Sequence, residues 1–303
     1  MTRSPKRGIV SLFTAAAFYG LYGVFSRLIG SAFGNFNQNW IKNLIVLTLI
    51  TLVIFVNKTK LISPKKKDFK WIILWFLSGS WVTVLTFIAF NNLPIGTTYL
   101  IIYSAMITAG FISGEIFFNE KLNRLKIVSL IFAMAGLFII YRFTLTGNQV
   151  FYLVLSLISG FMTGIWNTIS KKFSDNYPNN QMVFMDAISS ITAAYIGSLI
   201  FQEHLPNNIQ SISWLWISIY AVVQTINVGL IVYGFKNIEA QIGSIILPIE
   251  IIFATLFSYL IFKEVPTPLT VLGGFLIIFA AVVPSLNVLK QKNNHKNFQR
   301  PRK

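Results

Sequence analysis

A few groups able to carry charge or a proton stand inside long apolar runs of this 303-residue sequence: Glu250, Asp186, Lys42 and Arg27. Ionisable side chains are costly in hydrocarbon and by default mark a substrate or ion pathway. Glu250 follows Pro248 by two residues, and a proline without an N–H frees a backbone carbonyl for polar contact. A carboxylate so placed can take a proton or face a substrate ammonium; the plainer alternative is a neutral acid hydrogen-bonded to a neighbouring helix. Lys42 and Asp186 lie 144 positions apart with opposite charge. Facing one cavity, they could read the two ends of a zwitterion or pair with each other. Lys42 could equally snorkel to the outer face along its aliphatic stem. Arg27 is open to the same two readings, anion site or snorkelling base.

Uncharged groups extend this set. Gln224 and Asn227 are three apart and so share a helix face, and their counterparts 144 positions earlier are Ser80 and Thr83. Asn167 stands beside Trp166 in the stretch TGIWNTISK. Tyr22, Tyr99, Tyr103 and Trp166 could supply aromatic walls to a cavity, or anchor helix ends at the membrane interface. Together these are the candidate substrate-binding residues. His204 and His295 are the two histidines, there is no cysteine, and H-E-x-x-H, G-x-S-x-G and Walker patterns are missing. Metal hydrolysis and ATP-driven pumping therefore have no residues to carry them, and neither a cofactor nor an enzymatic activity is expected.

The elements that must position these residues follow from composition. Apolar residues make up 54% of the chain and charged residues only 11%, which requires the bilayer as solvent. A spanning helix needs about 20 apolar residues. Ten such runs are predicted at 9–29, 40–56, 71–90, 97–118, 127–142, 150–169, 181–200, 213–233, 242–262 and 268–289. The net charge of +16 invites a nucleic-acid reading until the bases are placed on this plan. With the N-terminus in the cytoplasm, 21 of the 25 lysines and arginines fall inside. Only Arg27, Lys42, Arg142 and Lys263 fall outside or near outer helix ends. That is a positive-inside distribution, so topology accounts for the charge and no nucleic acid is expected. The expected partners are membrane lipid, a small-molecule substrate and protons as candidate coupling ions. A monomer or homodimer is expected in the inner or plasma membrane, with both termini cytoplasmic.

The stretch YGLYGVFSR, residues 19–27, anticipates TGIWNTISK, residues 163–171. One ungapped shift of 144 sets Gly20 on Gly164, Tyr22 on Trp166, Ser26 on Ser170, Arg27 on Lys171 and Glu120 on Glu264. The unit contains five spans, so the second copy enters the membrane from the opposite side. The predicted fold is an all-α integral membrane protein of ten transmembrane helices in two inverted repeats, residues 1–145 and 146–290, with a basic cytoplasmic tail at 291–303. Inverted repeats of this kind place a substrate site near the midplane between the halves. Small residues four apart, Ala16 with Gly20, Gly160 with Gly164 and Gly110 with Gly114, are expected where helices pack closely.

In these features the sequence resembles the drug/metabolite transporter superfamily, in particular its EamA-type ten-helix permeases. Carrying the resemblance are Tyr19 and Gly20 followed by Arg27, Lys42 near the start of the second span, and Glu120 with Gly136 and Glu264 with Gly273 at the ends of the halves. Tyr19 stands where the family usually has tryptophan, and Ser129 where it usually has glycine. The resemblance implies a secondary permease or exporter of a small polar metabolite, amino acids being a frequent class. Two readings stand beside it: a carrier of an anionic or nucleotide-derived metabolite using Arg27 and Lys42, and a polytopic membrane protein that does not transport.

Overall fold

The computed structural model describes residues 4–141, 149–205 and 211–298. Arg3, Arg142 and residues 299–303 lie outside the described residues, as do the side chains of the tail from residue 291. Each predicted span corresponds to helix among the described residues, but two are broken and several are longer than hydropathy suggests. The first is Pro5–Gly20 (α1) and Tyr22–Ile29 (α2), joined at Leu21. Asn35–Val56 (α3), Phe69–Asn92 (α4), Ile95–Phe118 (α5) and Arg124–Ile140 (α6) complete the first half. The second comprises Val150–Ile169 (α7), Asn179–Ile200 (α8), Ser211–Asn237 (α9), Ala240–Ile246 (α10), Glu250–Phe262 (α11) and Pro268–Phe298 (α12). No strand occurs among the described residues.

Nine helical segments among the described residues are long and apolar enough to cross a bilayer. The remaining predicted span, 127–142, corresponds to α6, which has 17 residues and at 1.5 Å per residue reaches about 25 Å, short of the roughly 30 Å hydrocarbon core. It packs along α12. The extensions have local causes. The Glu203 carboxylate accepts from the backbone N–H groups of Phe36, at 3.0 Å, and Asn37, at 2.8 Å. Two of the donors orphaned at the start of α3 are thereby satisfied, which starts that helix five residues before its apolar run. Between α10 and α11, Leu247–Ile249 forms a single 3-10 turn around Pro248, where a missing N–H interrupts the α-helical ladder.

The two halves interlock. Besides α6 on α12, α5 packs on α7, α3 on α8, α4 on α7, and α1 on α9 and α11. Each of these contacts joins one half to the other, and exchanging the halves maps the set onto itself, as a pseudo-two-fold axis requires. Glycines set the closest approaches: a Cβ on Gly160 would meet the Ile102 carbonyl oxygen at 2.4 Å, and one on Gly164 the Met106 carbonyl oxygen at 2.5 Å. The outer surfaces of the helices carry exposed Leu, Ile, Val and Phe along their length, the surface hydrocarbon demands.

Lysines and arginines gather at the end of the bundle that holds Pro5, the 57–68 loop and the turn before α6; this is termed the basic end, and the opposite one the base-poor end. At the basic end the halves are laced together by polar contacts. Gln181 clamps the backbone of Ile62 through both its amide groups, at 2.9 and 2.7 Å. Asp68 accepts from the Asn176 amide at 2.8 Å and the Tyr177 hydroxyl at 3.0 Å.

Candidate functional site

A cavity of about 790 Å³ opens between the halves. Its lining runs from Trp166, Asn167 and Leu247 inside the bundle to Asn35, Tyr141 and Thr270 at the base-poor end. The conformation is therefore open toward the base-poor end.

Ten of the thirteen sequence-derived candidates line this cavity: Tyr22, Lys42, Thr83, Tyr99 and Tyr103 from the first half, and Trp166, Asn167, Asp186, Gln224 and Glu250 from the second. Lys42 does not snorkel outward. It is 5% exposed, and its ammonium stands 4.2 Å from the Tyr220 ring centroid and 5.9 Å from that of Tyr22. Among the described residues it has no hydrogen-bond or ion-pair partner, and the electron-rich aromatic faces supply the attraction that water would otherwise provide. Asp186, at the equivalent place on α8, is held by the Trp166 indole N–H, which donates to Oδ1 at 3.0 Å. In both halves an aromatic residue of the first span thus attends the charged residue of the second, Tyr22 with Lys42 and Trp166 with Asp186.

Glu250 begins α11, where the positive end of the helix dipole favours a carboxylate. The Tyr103 hydroxyl donates to its Oε1, and Oε2 has no partner among the described residues. Tyr103 belongs to a stack with Tyr99 and Tyr141, with ring centroids 5.8 Å and 6.4 Å from its own. The carboxylate thus sits at the edge of an aromatic wall, a setting suited to an organic cation.

Three candidates are placed elsewhere. Ser80 bonds the Ser189 hydroxyl at 2.5 Å and the Phe76 carbonyl, so it serves helix packing. Asn227 lies behind the wall, donating to the Tyr22 hydroxyl at 3.0 Å, and orients that ring. Arg27 corrects the expectation of an external anion: the chain supplies one, with its guanidinium 2.7 Å from Glu264 and 3.9 Å from the Phe262 ring centroid.

Sequence reasoning missed Tyr19, Gln38, Asn39, Tyr141 and Tyr220, all of which line the cavity. A signal existed for part of this set. Asn35, Gln38, Asn39 and Lys42 follow i, i+3, i+4, i+7 spacing on α3, one helical face. Gln38 Nε2, Asn167 Oδ1 and Gln224 Oε1 are buried without a hydrogen-bond partner among the described residues. All three side chains line the cavity, and such orphans ask for a ligand or water. No cluster of histidine, cysteine or carboxylates suited to a metal occurs among the described residues.

The EamA-like transporter family model matches the chain twice, over residues 6–142 and 150–286. An uncharacterized transporter of Synechocystis sp. is 28% identical over 140 residues, a match spanning 44% of this chain and 39% of that protein. A crystal structure of a protein 14% identical superposes with a TM-score of 0.77 over 91% of this chain and 97% of the other, a likeness of fold alone.

Proposed function

The chain belongs to the EamA-like transporter family, and from that footing we propose that it is a secondary transporter of a small zwitterionic metabolite, an amino acid or close relative, working by alternating access at the cavity between its halves. The observation that carries this reading is Lys42: a buried ammonium on the cavity wall, unpaired among the described residues, in a cavity also lined by Asp186 and Glu250. The substrate carboxylate takes Lys42, with the orphaned Gln38 amide one helical turn away as a second donor. The substrate ammonium takes Glu250 against the Tyr99 and Tyr103 faces, and the remaining polar orphans meet its other groups.

Two carboxylates against one ammonium make this cavity a poor trap for a purely anionic metabolite, and Arg27, which such a reading needs, is already paired. We place the basic end in the cytoplasm on the positive-inside distribution, so the cavity faces the exterior. Glu250 is the proposed proton site. Flux into and out of proteoliposomes, measured against amino acids, their amides and their decarboxylated amines, tests the reading. Selective transport of members bearing both charged groups is expected, and equal handling of the amides would refute it.

A further inference from the structure

Alternating access requires each end of the cavity to close while the other opens, and the repeat places the same three residue types at both ends. Arg27, Glu264 and Phe262 meet at the base-poor end. Their equivalents 144 positions away, Lys171, Glu120 and Phe118, meet at the basic end, with Lys171 Nζ 2.7 Å from Glu120 Oε1 and 4.7 Å from the Phe118 ring centroid. Each cluster joins the first span of one half to the end of the fourth span of the other. The surroundings differ. Side chains of the Lys171–Glu120 pair are 5% and 6% exposed, while those of Arg27 and Glu264 are each 52% exposed.

The difference lies in what else the glutamate holds. Glu120 also accepts from the backbone N–H groups of Ala240, at 2.7 Å, and Gln241, at 3.0 Å, and so draws the first turn of α10 onto α5. Gly114 and Gly110 leave room for this: a Cβ on Gly114 would meet Gln241 Cγ at 2.6 Å, and one on Gly110 would overlap the Ser244 hydroxyl. At the other end Glu264 accepts instead from Ser258, the residue equivalent to Gly114. The counterpart of the α5–α10 contact would be α11 against the first turn of α5, and those segments make no comparable packing. One end is clasped shut, and its symmetry mate is poised and open.

We infer that the two clusters are alternating gates of the transporter. In the exchange Glu120 releases the first turn of α10, while Glu264, still holding Arg27, leaves Ser258 and seizes the first turn of α5 at Gly96 and Thr97, the equivalents of Ala240 and Gln241. The four charged residues are positioning residues of the transport cycle and do not touch substrate. This rests on the alternating-access reading above, and the test separates the two.

The natural chain has no cysteine, so single-cysteine reporters can be read without background. Thr255→Cys reports the open cavity wall and Ser244→Cys the closed contact, each labelled by a membrane-impermeant maleimide from one side of the full-length protein in proteoliposomes without substrate. Expected for Glu120→Gln is a roughly tenfold gain in Ser244→Cys labelling from the basic end with a matching fall at Thr255→Cys. Lys171→Gln should do the same, giving an independent readout where the first variant folds poorly. Glu264→Gln should keep Thr255→Cys reactive and Ser244→Cys protected while flux falls roughly tenfold, and Lys171→Arg should retain wild-type labelling. If the wild type transports but labelling and flux are unmoved by Glu120→Gln, Lys171→Gln and Glu264→Gln, the gates are refuted and transport stands. If the wild type moves no substrate, the transport reading fails, and the labelling shifts alone decide whether the clasps govern access.

Discussion

Lys42 and Asp186 are equivalent residues of the two halves, 144 positions apart, and they line the wall of one cavity with opposite charge. A pseudo-two-fold fold that placed like residues there would build a symmetric site. By carrying an ammonium on α3 and a carboxylate on α8, this chain makes the site polar, and a dipolar substrate has one favoured orientation in it.

Replacing Lys42 with Gln removes the proposed carboxylate partner while keeping a donor. A hydrogen bond to a charged group contributes about 1.5–3 kcal/mol, so substrate affinity should fall roughly 10- to 150-fold. Isothermal titration of the purified protein checks this. The amide analogue of the substrate, which offers no carboxylate, should lose little between wild type and variant.

Glu250→Gln keeps an acceptor for the Tyr103 hydroxyl but cannot ionise. If Glu250 carries the coupling proton, wild-type uptake should respond to an imposed pH gradient and the variant should exchange substrate at a rate independent of that gradient. A gradient response retained by Glu250→Gln would move the proton elsewhere, Asp186 being the other carboxyl on the cavity wall.

Outside the membrane spans, the Glu264 carboxyl is held below the usual carboxylate range, first by the hydrogen bond from Ser258 and then by Arg27. A depressed value means that the contribution of the Glu264 contacts is fully present above the ordinary carboxyl pKa of about 4.3 and is lost as pH falls through the lower one. Carbon NMR of labelled Glu264 should titrate below that ordinary value. Ser258→Ala and Arg27→Gln should each raise the midpoint, and a midpoint moved by neither would show that these partners do not hold the carboxylate.

Packing between the halves is tested at Gly164, where a methyl group would press on the Met106 backbone carbonyl at 2.5 Å. A backbone wall cannot rotate away, and overpacking of this kind costs about 1–3 kcal/mol. Gly164→Ala should lower the thermal midpoint in detergent, whereas Gly23→Ala, with nothing within 4 Å of the added carbon, should lower it far less.

Much of this fold could be read from apolar run length alone, because hydrocarbon accepts few alternatives to a helix. What hydropathy misses are polar first turns, as at Asn35, where the capping acceptor Glu203 comes from the other half of the chain. The site was legible where charge intruded on grease, at Lys42, Asp186 and Glu250. It was illegible where the deciding neighbour is remote in sequence. Arg27 and Glu264 each aligned with a counterpart in the repeat, yet their meeting across 237 positions depends on how the halves interlock. Ser80 and Asn227 share a polar character with cavity residues, and only their three-dimensional partners, Ser189 and Tyr22, assign them to packing.

A zwitterion is proposed to bind between the halves through Lys42 and to be carried across. Counterflow in proteoliposomes, with wild type and Lys42→Gln side by side against a radiolabelled amino-acid panel, tests it most directly. Accumulation by the wild type of at least one zwitterion, reduced at least about tenfold in Lys42→Gln at subsaturating substrate, is the predicted result. Wild-type accumulation no greater than in empty liposomes across the panel, or equal accumulation by the two proteins, would contradict it.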